Sequence, residues 1–347
     1  MSKQDQKGGI GSTNIQIGVM RSGLTYIDVR DIAKDVFEAN MQTYTENARL
    51  IANERAAELR EELVEILAQK PPEELSKFDQ PEKQSALFEA QKSYALSGDK
   101  ELKKSLVNMM INLSTSEERS IKSIVLQEAI KTVPSLTPRQ IQVLSVVFLV
   151  RYSQIGMALN LETYASSIKR YLRSDYISGA LTEGDFRHIE YTRCASVEMG
   201  EIGFAKALKL TYPGLVSRGY DQGDLIEAFS DTGIPLGAIT RCYHNNNKFQ
   251  IIGGNAGILD SVSAANRWTD DQKKVAIEKL EDPSHLLSET EILTELLPKF
   301  GGILLEISRD WESSKLKNLS LTSIGIALSH SYTLGAVDDP ADISIWL

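Results

Sequence analysis

Two short stretches of the chain combine residue types that could carry acid–base or thiol chemistry. His188, Glu190 and Cys194 lie within seven residues of one another, and Cys242 and His244 are separated by one residue. On an α-helix, Glu190 and Cys194 would share a face, whereas His188 would point about 200° away from Glu190. One helix therefore cannot bring these three side chains together without a partner from elsewhere in the chain.

The second stretch, Arg-Cys-Tyr-His at 241–244, lacks the residue pattern of a nucleophile elbow. Catalysis by a cysteine and a histidine requires the two side chains to touch, which spacing alone does not establish. Buried cysteines and surface histidines are the commoner arrangement, so we predict no catalytic residue at either stretch. An effector enzyme with its site near His188 or within residues 213–257 is the alternative hypothesis.

The sequence contains no recognisable metal-binding or phosphate-binding pattern. Its histidines, His188, His244, His285 and His330, are scattered, and none has the spacing of a zinc site. Residues 253–257, Gly-Gly-Asn-Ala-Gly, follow a predicted short strand but match neither a P-loop nor Gly-x-Gly-x-x-Gly. We interpret them as a glycine-rich turn, and the sequence predicts no metal and no cofactor.

Residues 8–20 have a pattern that favours assembly. No ionisable side chain lies between Lys7 and Arg21. Alternate residues of an extended strand face opposite sides. One side would be β-branched and the other would carry amides: Thr13, Ile15, Ile17 and Val19 against Ser12, Asn14, Gln16 and Met20. Copies stacked in register would join an apolar interface to amide ladders, as in cross-β assemblies.

The tetrad Ile-Gln-Ile-Gly at 15–18 resembles the core of the RIP homotypic interaction motif, which drives functional amyloid signalling. The wider Gly-Ser-Thr-Asn-Ile-Gln string resembles Gly-rich N-terminal segments of bacterial conflict-system proteins. These resemblances imply a signalling motif in bacterial immunity, antiviral defence or stress. The residues of the predicted assembly motif are Asn14, Ile15, Gln16, Ile17 and Gly18. An ordinary strand that covers the first helix, and a disordered tail, are the alternatives.

The rest of the chain resembles a family of bacterial proteins for which no activity is established. Residues 23–26 (Gly-Leu-Thr-Tyr) and 29–33 (Val-Arg-Asp-Ile-Ala) carry the resemblance near the start. Residues 321–327 (Leu-Thr-Ser-Ile-Gly-Ile-Ala) and 343–346 (Ile-Ser-Ile-Trp) carry it near the end. This second resemblance spans most of the chain and implies no particular chemistry.

A long helix is predicted from Tyr26 to Lys70, because this stretch lacks glycine and proline and ends at two prolines. If unbroken, it would be about 65 Å long at 1.5 Å per residue. Part of its apolar stripe has the three- and four-residue spacing of a packing surface: Ala48, Ala52, Ala56, Leu59 and Leu63. We interpret this stripe as an oligomerisation surface, with packing on the chain's own bundle as the alternative.

The body of the chain is predicted to be mainly α-helical. Helices are expected at 81–96, 99–113, 117–133 and 138–153, and the last is apolar nearly all round, which predicts a central buried helix. Composition changes after Tyr212, so a domain boundary is predicted near residue 212. The predicted organisation is a β assembly motif at 1–25, a long helix plus bundle at 26–212, and a mixed region at 213–347.

The C-terminal end is predicted to form a strand at 319–322, a helix at 323–334 and a strand at 342–347. This order resembles part of a winged-helix domain, which would imply DNA binding. Residues 301–347 hold three basic and six acidic side chains, the wrong sign for phosphate contacts. A winged-helix nucleic-acid binder is therefore only the second alternative.

Composition restricts the class of protein. A chain of 347 residues that is 42% hydrophobic is long and apolar enough to fold into a globular body. A net charge of −9 disfavours general binding to nucleic acid or anionic membranes. Two cysteines, no signal peptide and no membrane span predict a cytoplasmic location. We expect a non-enzymatic homo-oligomer, or a protein that binds a partner carrying a similar β motif.

Overall fold

A computed structural model describes residues 26–40, 45–70, 77–156, 158–173, 175–179, 181–334 and 341–347. Over these ranges the fold is mainly α-helical with two small antiparallel sheets, which confirms the predicted fold class. The predicted assembly motif at 14–18 lies outside the described residues. The chain divides into two compact units, Met1–Ala95 and Leu96–Leu347, which we call unit 1 and unit 2.

Unit 1 contains α1 (Tyr26–Asn40), α2 (Glu46–Leu67), a 3₁₀ turn (Lys77–Asp79) and most of α3 (Pro81–Ser97). Phe37 of α1 lies in one buried cluster with Ala52 and Ala56 of α2. In an unbroken helix, Phe37 and Ala56 would be about 28 Å apart. The single helix expected over 26–70 is therefore wrong, because α1 and α2 pack against each other and bury this cluster.

The stripe predicted to mediate oligomerisation lies mostly in the interior of the chain. Ala52, Ala56, Leu59 and Leu63 are at most 4% exposed. Ala48 is exposed. Polar contacts also join α2 to α3: Arg55 donates to the Ala95 carbonyl at 3.0 Å and the Tyr94 hydroxyl donates to Glu58 at 2.6 Å. The buried members of the stripe are thus already occupied by contacts within one chain.

Unit 2 begins with the helices of a bundle, and capping residues set several of their starts. Thr137 and Gln140 form a capping box at α6, with Pro138 in the first turn, and Asn160 pairs with Thr163 in the same way at α7. The helices are α4 (Lys100–Thr115), α5 (Ile121–Thr132), α6 (Pro138–Arg151), α7 (Leu161–Leu172), α8 (Glu183–Tyr191) and α9 (Phe204–Thr211). The bounds of α3 to α6 lie within four residues of those predicted.

The remaining helices of unit 2 are between 3 and 12 residues long. They are α10 (Gln222–Ala228), α11 (Ala256–Asn266), α12 (Asp270–Leu280), α13 (Glu289–Glu291), α14 (Leu297–Phe300), α15 (Gly302–Ser313) and α16 (Ser323–Leu334). A π-helical turn, Ile292–Leu296, joins α13 to α14. Residues 289–300 therefore form three consecutive short helical pieces and not one regular α-helix.

The core of the bundle is built around α6 and α16. Residues 140–150 of α6 are all buried, as its apolar sequence predicts. Helix α16 packs against α4, α5, α6 and α7. A Cβ atom at Gly325 of α16 would lie 1.9 Å from the Cys194 carbonyl oxygen, so this close approach requires glycine.

Two short antiparallel sheets complete unit 2. Strand β1 (Ala195–Val197) pairs with β4 (Leu319–Leu321), and β2 (Ile239–Arg241) pairs with β3 (Phe249–Ile251). The strand predicted at 342–347 is wrong, because Ile343–Ile345 is a 3₁₀ turn capped by Asp342. Of the predicted strand, helix and strand that resemble part of a winged-helix domain, only the first strand and the helix are therefore formed.

Residues 212–216 lie in the core and do not form a linker. Tyr212 and the 3₁₀ turn Pro213–Val216 are buried, and the Ile155 amide donates to the Tyr212 hydroxyl at 2.5 Å. The division of the chain lies instead between Ala95 and Leu96, within α3. The change of composition at 212 marks the approach to a local cluster that includes Tyr220, Phe229 and Leu259. In the described part of the chain, no helix is long and apolar enough to cross a membrane.

Candidate functional site

Three segments of unit 2 converge on a cleft of about 540 Å³, a volume within the range of small-molecule sites. The start of α7 supplies one part of its lining, the loop after β2 a second, and residues 287–300 the third. The lining residues are Asn160, Leu161, Glu162, Tyr243, His244, Leu287, Glu291, Glu295, Leu296, Lys299 and Phe300. We call this the His244 cleft.

His244 has a defined tautomer in the cleft. Its Nε2 lies 2.5 Å from the carbonyl oxygen of Leu215. Because a carbonyl only accepts hydrogen bonds, Nε2 carries the proton and Nδ1 holds the free lone pair. Burial lowers the pKa of His244, and the bond to Leu215 only partly opposes that shift. His244 is thus a neutral imidazole near pH 7, with Nδ1 available to accept a hydrogen bond.

Gln250 of β3 holds the loop that carries His244. Its Oε1 accepts from the Tyr243 amide at 3.1 Å, and its Nε2 donates to the Gly214 carbonyl at 3.0 Å. Gln250 is 1% exposed, so both bonds form away from water. The same side chain therefore positions the loop of His244 and the turn that supplies the Leu215 carbonyl.

The glycine-rich residues 253–257 hold the walls of the cleft close together. A Cβ atom at Gly254 would lie 2.2 Å from the Ala158 carbonyl, just before α7. A Cβ atom at Gly214 would lie 2.0 Å from the Gly253 carbonyl, and the Gly214 amide donates to the Gly254 carbonyl at 3.0 Å. Asn255 then caps α11. These glycines permit close contact between backbones.

The π turn Ile292–Leu296 shapes the third wall of the cleft. Pro298 has no amide hydrogen, so an uninterrupted α-helix would lose the bond from residue 298 to the Thr294 carbonyl. Widening the preceding turn accommodates this loss, and such π turns are frequent at functional sites. Glu295 and Leu296 of the π turn, with Lys299 and Phe300 of α14, line the cleft.

Glu291 fastens that wall to the rest of unit 2. Its carboxylate accepts from the Ser288 amide at 2.8 Å and the Ser288 hydroxyl at 2.5 Å. It also forms a two-pronged ion pair with Arg218, in which Nη1 lies 2.6 Å from Oε1. The bonds from Ser288 and then that from Arg218 lower the pKa of Glu291 to about 2. Glu291 is therefore ionised and already satisfied by protein groups.

The other charged side chains of the cleft remain open to a ligand. Glu162, Glu295 and Lys299 line it, and none forms an ion pair with another described residue. Apolar side chains complete the lining: Leu161, Leu287, Leu296 and Phe300. Over the described ranges, no group of three or more histidine, cysteine or acidic side chains could hold a metal ion. The cleft thus offers charges of both signs beside an apolar surface.

The structure does not assemble the His188 constellation considered from the sequence. His188 Nδ1 lies 3.1 Å from Gln140 Oε1, while Glu190 accepts from the Val197 amide at 3.0 Å. The Cys194 thiol is buried and donates to the Thr192 carbonyl at 3.6 Å, and burial raises its pKa. Each of the three side chains is thus engaged with a different neighbour.

The Arg241–His244 stretch contributes to the cleft through its histidine and not its cysteine. The Cys242 thiol is buried and donates to the Ser217 carbonyl at 3.5 Å. Glu162, Glu295 and Lys299 were not singled out from the sequence, since more than 130 residues separate Glu162 from the other two. The only local signal was Pro298 inside an otherwise helical pattern.

Comparison with known proteins identifies a family but no chemistry. A family model with the description ":-like" matches residues 23–347. No curated protein and no solved structure matches the chain. The matched range includes every residue that lines the His244 cleft and excludes residues 8–20.

Proposed function

The chain belongs over residues 23–347 to the family described as ":-like", and because that description carries no activity, we propose from geometry that it binds a small molecule in the His244 cleft. The observation that carries this proposal is the lining of the cleft, where open charges, an apolar surface and an oriented neutral imidazole converge. Concave sites with a few placed polar groups are the usual form of small-molecule sites.

Binding without reaction is the favoured form of this proposal. The two thiols that could serve as nucleophiles are buried and donate to backbone carbonyls, at Thr192 and Ser217. The alternative is an effector enzyme in which His244 Nδ1 accepts a proton from the bound molecule. Formation of a product that is lost in His244→Ala, with binding retained, would favour the enzyme.

A substitution that fills the cleft tests binding directly. Leu296→Trp places a large side chain on the lining, whereas Leu236→Trp makes the same change at a residue that is 78% exposed and outside the cleft. Saturation-transfer NMR on the full chain, with mixtures of small amines, acids and alcohols, should give signals that Leu296→Trp removes and Leu236→Trp retains. Signals that persist in Leu296→Trp would contradict the assignment.

We also propose that residues 8–20 mediate homotypic assembly in bacterial antiphage or stress signalling in the cytoplasm. The support is the alternation of Ile15 and Ile17 with Asn14 and Gln16, together with the resemblance to amyloid-signalling motifs. Asn14 and Gln16 would form the ladders, Ile15 and Ile17 the dry face, and Gly18 a close approach. A partner protein with a similar motif would add to the same assembly.

Light scattering over a range of concentrations tests the assembly proposal. The full chain should form larger species than a chain that begins at Gly23, and Ile15→Asp with Ile17→Asp should remove them without unfolding the helices. Equal masses for the full and shortened chains would reject the motif as the driver of assembly. The His244 cleft would be unaffected by that outcome.

A further inference from the structure

The charges of the His244 cleft indicate the class of its ligand. We infer that the cleft takes a small zwitterion with an apolar side chain, either an amino acid or a short peptide, an inference that rests on the proposed binding function. Some polar groups of the lining are already satisfied by other protein groups, and the rest are open.

Ionised side chains of both signs are left for a ligand. Arg218 neutralises Glu291, so the open charges are the carboxylates of Glu162 and Glu295 and the ammonium of Lys299. A purely anionic ligand would meet two carboxylates, and a purely cationic ligand would meet Lys299. A molecule with an ammonium and a carboxylate can satisfy both, because complementary charge sets specificity.

Glu295 and Lys299 do not neutralise each other, although only four residues separate them. A glutamate four residues before a lysine forms a favourable ion pair on a regular α-helix. Glu295 lies within the π turn Ile292–Leu296, and no ion pair joins it to Lys299 or to any other residue in the described part of the chain. Both charges therefore stay open to the cleft.

The uncharged part of the lining fits the rest of such a molecule. Leu161, Leu296 and the partly exposed Phe300 form an apolar surface beside the charges. His244 adds an acceptor, Nδ1, that suits an ammonium N–H. The volume of about 540 Å³ restricts the ligand to a small molecule and leaves room for more than one apolar side chain.

Four matched probes test the inference on the full chain. L-Phenylalanine carries both charges, phenethylamine lacks the carboxylate, and 3-phenylpropionate lacks the ammonium; L-leucyl-L-phenylalanine extends the first. Affinities from isothermal titration calorimetry should favour the better of the two zwitterions by about tenfold over either single-charge probe, the effect of one charge-assisted hydrogen bond.

Variants should remove each part of that preference separately. Lys299→Met should abolish the advantage over phenethylamine, and Glu162→Gln with Glu295→Gln should abolish the advantage over 3-phenylpropionate. Lys274→Met, on α12 and outside the lining, is the matched control and should leave every affinity unchanged.

The outcomes of these experiments distinguish the zwitterion inference from the proposed small-molecule binding on which it rests. Equal or tighter binding of a single-charge probe, lost in Leu296→Trp, would overturn the zwitterion and retain the cleft. Zwitterion binding that Leu296→Trp leaves intact would place the ligand elsewhere and overturn the inference. If none of these probes binds, the zwitterion inference is overturned. If the broader mixtures also give no binding signal, small-molecule binding itself is overturned.

Discussion

The helical bundle and the glycine-rich region of unit 2 are stabilised in different ways. In the bundle, residues 140–150 of α6 are all buried, and the helix starts at a capping box formed by neighbours in sequence. In residues 213–300, the contacts that define the cleft link distant parts of the chain, such as Gln250 with Gly214 and Arg218 with Glu291. The bundle is therefore specified by local patterns, and the cleft by a small number of long-range contacts.

This difference has a consequence for mutations. Apolar contacts are numerous and individually weak, so loss of one side chain in the bundle is spread over many neighbours. The two bonds of the buried Gln250 side chain each join one donor to one acceptor, and their loss leaves a buried group without a partner. Loss of such a link near the cleft should therefore lower both overall stability and binding.

The largest expected effect is at two of the glycines where backbones touch, one from each region. Gly325→Ala and Gly254→Ala would place a Cβ atom 1.9 and 2.2 Å from a carbonyl oxygen, so the backbone must shift. We expect each to lower the free energy of unfolding by about 3 kcal/mol, at the upper end of overpacking effects. Urea denaturation followed by circular dichroism measures this.

Gly223→Ala is the control for both glycines, because no atom lies within 4 Å of the added Cβ and the residue is inside a helix. It should be neutral or slightly stabilising. A binding measurement distinguishes the two regions, since Gly254→Ala should also abolish binding in the cleft. A Gly254→Ala variant as stable as the unchanged protein would show that this contact is not required.

The second effect comes from the amide that links the walls of the cleft. Gln250→Leu would leave the Tyr243 amide and the Gly214 carbonyl without their partner, at a cost of about 2 kcal/mol. Ser145→Ala in α6 is the bundle counterpart, since Ser145 bonds only to the Ile141 carbonyl of its own helix. That change should cost well under 1 kcal/mol. Equal destabilisation of the two variants, measured in urea, would remove the distinction between the regions.

The same distinction decides how much the sequence alone could predict. Helices α3 to α6, β3, β4 and α16 follow from periodicity, capping residues and prolines, which act over a few residues. The break between α1 and α2 could not be predicted, because residues 26–70 contain neither glycine nor proline and the contact of Phe37 with Ala52 is tertiary. The alternating pattern at 342–347 wrongly predicted a strand for a related reason. Trp346 donates to the Tyr152 carbonyl, and the segment bonds to helices rather than to a strand.

The candidate site was only partly accessible from the sequence. His244 and the glycines of 213–257 could be singled out by residue type. Their partners could not, because Leu215 contributes a backbone carbonyl and Glu162 lies far away in sequence. His188 and Cys194 looked equally suitable, and only the observed hydrogen bonds separate them from a site.

The third expected effect is a pH dependence of stability that arises from Glu291 in the wall of the cleft. The pKa of Glu291 is lowered to about 2 in the folded protein, below the unfolded value of about 4.3. Its contribution to stability is therefore complete above about pH 4.5 and is lost as the pH falls towards 2. Glu291→Gln should lower the urea midpoint at pH 7 and approach the unchanged protein near pH 2. Glu281→Gln, an exposed glutamate outside the cleft, should show no such convergence.

The smallest effect compares two buried histidines. Burial lowers the pKa of His244 in the cleft and of His330 in the bundle, where the imidazole packs near Phe148 and Trp346 with Asp342 and Lys122 as its charged neighbours. Both contributions to stability are present above the unfolded pKa of about 6.5 and are lost as the pH falls through the folded values. Two-dimensional NMR titration should place both midpoints below 6.5. A ligand in the cleft should move the titration midpoint of His244 and leave that of His330 unchanged, because only His244 of the two contributes to the lining. A shift of both midpoints would mean that the ligand affects the bundle as well as the cleft.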